Sequence, residues 1–157
     1  MSVNRLVFLF ILITSSFVSR GQGDYTFETE CMGVEMDGSV TLKAWGNGRN
    51  YFDALEQAKK VAVRDVVFKG IQNGKSDCSR VGLVLEPRAQ ETHEDYFAKF
   101  LADGGEYTKY VNSKDEKLNQ KRKRDKKEAR ESVTLAAIVR VDRLALKRKL
   151  VEDGIIK

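Results

Sequence analysis

The sequence predicts an α+β fold: a mostly antiparallel sheet packed by a long helix over about 51–72 and a C-terminal helix over about 143–153. Three observations carry it. Leu55, Ala58, Ala62 and Val66 recur at steps of three and four, which places them on one stripe of a 3.6-residue period. Val133, Leu135, Ala137, Val139 and Val141 alternate, as one face of a strand does. Asp37-Gly38 is a hairpin-turn dipeptide between the first extended segments.

The 157 residues suffice for one domain that buries about two thirds of its unfolded surface. Before that domain, Arg5 precedes an unbroken apolar run from Leu6 to Ile13, the layout of a signal peptide over 1–21. The run is shorter than the ~20 residues that span a bilayer. Small residues at Ser19 and Gly21 place the expected cleavage between Gly21 and Gln22. A single domain over 22–157, periplasmic or secreted and without a transmembrane segment, is the expectation. No cysteine lies near the junction, so a lipid anchor is not expected there.

Cys31 and Cys78 are the two cysteines of the chain. An oxidising compartment makes them a disulfide candidate, whereas a misread leader would leave two buried thiols. Neither sits in a CxxC pair or beside a histidine, so redox catalysis and zinc binding find no support.

In chain order, Asp24–Glu30 reads as a short strand or an extended arm ending at Cys31, and Val40, Leu42 and Ala44 as a half-buried strand extended by Trp45. Gly46, Asn47 and Gly48 supply turn residues before the helix. GNGRN lacks the third glycine of a dinucleotide fingerprint and the Lys-Ser/Thr of a phosphate loop, so it reads as a structural turn. Asn50 is the natural N-cap, with Asp53 in the first turn. From Val61 the helix is apolar nearly all round and should be covered on more than one side. Asn73-Gly74 ends it. Gly82–Glu86, stopped by Pro87, reads as a strand.

Ala89–Ala102 reads as a second helix ending at Gly104-Gly105, and Val133–Val141 as a central or doubly covered strand. Asp142 caps the closing helix, in which Leu146 and Leu150 pack inward and which Gly154 terminates.

The formal charge of +5 is concentrated. Lys114–Arg130 alone carries nine basic and four acidic residues, and only Leu118 and Ala129 in it are apolar. It reads as a basic hairpin tip or a mobile loop at about 114–130. Lys121, Arg122, Lys123, Arg124, Lys126, Lys127 and Arg130 are the candidate contacts for a polyanion or a partner. The alternative is a solvated tip that keeps the protein soluble. Without interleaved aromatics, sequence-specific nucleic-acid recognition is not expected.

No catalytic set, metal set or cofactor is predicted. His93 lies among Glu91, Glu94 and Asp95, without the second histidine that would define a metal site. Glu86, His93 and Asp95 would have to meet in a cleft for acid–base work, and their spacing does not require it.

The strand ending in AWGNG, the helix with Ala54, Ala58 and Ala62, and the closing IVRVDRLALKRKLVEDGI together resemble small exported α+β envelope domains of Gram-negative bacteria. That type includes the N-terminal domain of flagellar-assembly accessory proteins and related lipoproteins. The resemblance covers 40–71 and 133–156. The chain departs from it in lacking a lipid-attachment cysteine and in its longer charged run. The resemblance implies a non-catalytic protein that docks to other envelope proteins, and it carries over no catalytic residues.

Overall fold

A computed structural model describes residues 27–113, 120–123 and 132–157; the expected leader over 1–21 lies outside them. The fold is α+β, with strands β1 (Glu30–Val34), β2 (Val40–Gly48), β3 (Asn73–Gly74), β4 (Val111–Ser113), β5 (Gln120–Lys123) and β6 (Ser132–Val141). The helices are α1 (Tyr51–Arg64), α2 (Ala89–Thr92), α3 (Glu94–Phe100) and α4 (Arg143–Glu152), with a π-helical turn at Asp65–Lys69 and a 3₁₀ turn at Glu106–Tyr110. The sheet runs β3-β1-β2-β6-β4, with β5 also on β6. Only the β1–β3 pair is parallel.

The centre of the sheet is the uninterrupted pairing of β2 with β6, from Val40↔Val141 to Gly48↔Val133. Period-2 alternation turns Leu42, Ala44, Leu135, Ala137, Val139 and Val141 to one face, all of them inaccessible to solvent. On that face lies α1. Gly46 and Gly48 therefore do not form the expected turn: they continue β2 beneath the helix. A Cβ on Gly46 would stand 1.9 Å from the Ala54 carbonyl oxygen, and one on Gly48 2.4 Å from the Ala54 nitrogen. The glycines let the helix backbone rest on the strand backbone, with Ala54 and Ala58 fully buried between them.

The long helix is shorter than predicted. Asn50 caps it as expected, accepting from the Asp53 amide at 3.0 Å. At Asp65 the coil widens into a π turn, closed by the Gly70 N–H on the Asp65 carbonyl at 2.8 Å. Gly70, at φ +70°, ends the helix. Asn73–Gly74, expected as its stop, instead pairs with Glu30 and Cys31 in β1.

Gly82–Glu86 is not a strand. The Leu83 and Val84 amides donate to the Val66 and Val67 carbonyls at 3.1 and 2.9 Å, so the π turn's carbonyls take the partners a neighbouring strand would have taken. The predicted helix over 89–102 is likewise two short helices broken at His93 (φ −118°, ψ 36°). The closing helix agrees with expectation. Asp142 accepts from the Ala145 amide at 2.9 Å, and Gly154 turns Ile155 and Ile156 back onto the Leu150 carbonyl. Leu146 and Leu150 are fully buried.

Candidate functional site

The predicted disulfide is present. Cys31 in β1 and Cys78 in the loop after β3 are bonded, with their Cα atoms 6.0 Å apart, and both are buried. The bridge pins the loop that wraps the π turn. Next to it, the Ile71 amide donates to the Ser79 carbonyl and the Gln72 side chain to the Arg80 carbonyl.

Of the basic residues, Lys121, Arg122 and Lys123 lie on β5, paired with Thr134, Val133 and Ser132 of β6. Arg124, Lys126, Lys127 and Arg130 lie outside the described residues. β4 and β5 occupy the same side of β6, so together they are one edge strand delivered in two pieces. Ser113 pairs with Val139 and Gln120 with Leu135, so seven steps of chain span four steps of β6. Interruption and positive charge both discourage a foreign strand from adding to an edge.

Glu86, His93 and Asp95 are not joined by any hydrogen bond among the described residues. Glu86 and Asp95 are exposed, and His93 is half-buried at the α2–α3 break. Nor does any group of three or more His, Cys, Asp and Glu among the described residues converge as a metal would require.

Two clefts were not foreseen. The smaller, of about 160 Å³, lies beside the π turn and is lined by Phe27, Thr29, Arg64, Asp65 and Lys69 among others. Asp65 is buried. Its Oδ2 accepts from the Thr29 hydroxyl at 2.5 Å, while Oδ1 has no hydrogen bond among the described residues and faces the Lys69 ammonium at 3.8 Å. A lone acid in the apolar run VAVRDVVF was the visible signal, since a buried carboxylate requires partners.

The larger cleft, of about 460 Å³, is lined by Asp95, Tyr96, Lys99, Phe100 and Glu106. The Tyr96 ring is stacked on Phe100 at 5.7 Å between centroids, and Phe100 on Tyr110 at 6.1 Å. Behind them a polar chain ties three elements together. The Tyr96 hydroxyl donates to Asp153 at 2.6 Å, Lys149 bridges Asp153 at 2.9 Å and Glu106 at 3.7 Å, and Lys109 pairs with Glu106 at 3.2 Å. Burial, reinforced by the bond to Asp153 and its charge, raises the Tyr96 phenol well above its ordinary range. The Tyr96 and Lys149 hydrogen bonds lower the Asp153 carboxyl. In the sequence these residues are 57 positions apart, and no periodicity connects them.

No family model matches the chain, and neither a curated protein nor a solved structure matches it. Among the described residues no helix is long and apolar enough to cross a membrane.

Proposed function

We propose that the protein is an exported, non-catalytic binding or assembly module of the bacterial cell envelope, which works by docking to an envelope protein. The observation that carries this is the buried Cys31–Cys78 disulfide. Bridges of this kind persist in oxidising compartments and are rare where thiols are kept reduced. The expected leader over 1–21 and the resemblance to envelope domains support the same reading. Alkylation of protein taken directly from cells, followed by mass measurement, tests it. Both cysteines resist alkylation until reduction, and the chain is recovered from the periplasm or medium. Free thiols, or recovery from the cytosol, would remove the basis for export. Crosslinking in cells followed by affinity capture then enriches an envelope component over a control, and no enrichment would count against docking.

A second reading is favoured by the pairing of β5 with β6, which sets three of the seven candidate basic residues on an ordered strand. On this reading the basic run binds a polyanion such as lipid phosphate, acidic glycan or nucleic acid, held by charge and weakened steeply by salt. Replacing Lys121, Arg122, Lys123 and Arg124 by Gln lowers retention on heparin or anionic liposomes at low salt. Unchanged retention would refute it.

A further inference from the structure

We propose that the cleft between α3 and the 3₁₀ turn is a binding site for a neutral saccharide. This goes beyond the docking reading and does not rest on it. Pockets that hold small ligands combine an apolar wall with a few placed polar groups, and this one does so in an instructive order. Its wall is the Tyr96 ring, backed by buried Phe100, an apolar plane against which the C–H face of a sugar ring can lie. The Tyr96 ring has little freedom to turn away, because its hydroxyl is held by Asp153, the C-cap of α4.

The charges around the cleft decide the class of ligand. Glu106 is already paired with Lys109 and Lys149, and Asp153 with Lys149. An organic cation would have to displace a lysine from each or approach the Lys99 charge beside Asp95, and an anion would meet these carboxylates. What remains, with side chains that make no ion pair or hydrogen bond among the described residues, is Asp95 and Lys99, four positions apart on α3 and therefore on the same side as each other. Ionised Asp95 only accepts hydrogen bonds and Lys99 only donates them. A ligand that fits both carries groups able to donate and accept along its edge while one face stays apolar. Sugar hydroxyls on a pyranose ring have that disposition, and an uncharged sugar leaves the self-neutralised pairs undisturbed.

The test uses the purified protein with maltotriose and with chitotriose, both uncharged, and reads saturation transfer from protein aromatic protons to the sugar by NMR. Transfer to the ring C–H protons of at least one sugar is expected. It is lost in Tyr96→Ala, kept in Tyr96→Phe, and the affinity falls about tenfold in Asp95→Ala/Lys99→Ala, as two lost hydrogen bonds predict. The last variant changes only exposed side chains, so it decides the matter even if Tyr96→Ala does not fold. Absence of transfer from both sugars overturns the proposal, as does transfer undiminished in the double variant. Selective binding of tetramethylammonium in their place overturns it in favour of an organic-cation site.

Discussion

Between Tyr51 and Ala62 the long helix meets the sheet backbone to backbone, whereas from Asp65 onward polar groups and a covalent staple are added to the packing of Val66, Val67 and Phe68. In the first half Gly46 and Gly48 remove the side chains that would hold the layers apart, and Ala54 and Ala58 fill what is left. Nothing there is free to adjust. In the second half the coil widens, the Val66 and Val67 carbonyls take amides from Leu83 and Val84, and one oxygen of the Asp65 carboxylate accepts from Thr29 of another segment. The first half is held by close packing, and the second also by the disulfide and hydrogen bonds that bring 71–84 against it. The two halves should therefore fail to different perturbations.

The largest effect is expected at the staple. Replacing Cys31 and Cys78 together by Ser frees a loop of sequence separation 47, worth about 4 kcal/mol in the chain-entropy account. Hydrogen exchange distinguishes where the loss falls. Amides of 71–84 lose protection through local opening, while those of 54–62 weaken only with the global stability. Equal loss in both would erase the distinction between the halves. The converse perturbation is Gly46→Ala, which forces a methyl to within 1.9 Å of a backbone oxygen. Since a backbone carbonyl cannot rotate aside as a side chain does, the cost is about 3 kcal/mol or more by denaturant titration. A loss under about 1 kcal/mol would mean that the helix can lift from the strand, contrary to close packing.

Smaller, but specific to the polar half, is Thr29→Val. It leaves the buried Asp65 carboxylate without its one hydrogen bond, at a cost of about 2 kcal/mol. Adding Asp65→Leu removes the stranded acceptor as well, and stability recovers in part, because an absent polar pair costs less than half of one. If the double variant is the less stable of the two, Asp65 matters through Lys69 rather than through Thr29.

The same contrast explains what was legible in the sequence. Regular, close-packed parts leave periodic signals: the alanine steps of α1, the alternation of β6 and the caps at Asn50 and Asp142 all read correctly. The glycines at 46 and 48 were visible but misjudged. A glycine needed for a turn and one needed for close approach look alike until the helix above it is placed. The π turn and the 82–86 segment share hydrogen bonds between residues distant in sequence, which no local window contains. The cleft was hidden for that reason too. Tyr96 reads as a core aromatic, and only the tertiary fold brings Asp153 to its hydroxyl.

The smallest expected effect lies in that corner, which is held like the polar half of the helix, by hydrogen bonds between elements. Asp153 is lowered below the ordinary carboxyl range, first by the Tyr96 hydroxyl and then by Lys149. A carboxyl lowered on folding contributes stability that is fully present above its unfolded value, near pH 4, and is lost as the pH falls through the folded value. Tyr96→Phe removes the larger of those causes while keeping the ring stacked on Phe100. The folded value then moves back toward the unfolded one, and the acid limb of the stability profile below about pH 4 becomes shallower. Between pH 6 and 8 the variant is uniformly less stable by about 1 kcal/mol at most, as for one hydrogen bond on a partly exposed surface. Denaturant midpoints at pH 3, 4 and 7 measure both. If wild type and Tyr96→Phe lose stability in parallel on acidification, Asp153 is held by Lys149 alone. The tyrosine would then be bonded without being coupled, and this corner would not share the polar half's dependence on long-range hydrogen bonds.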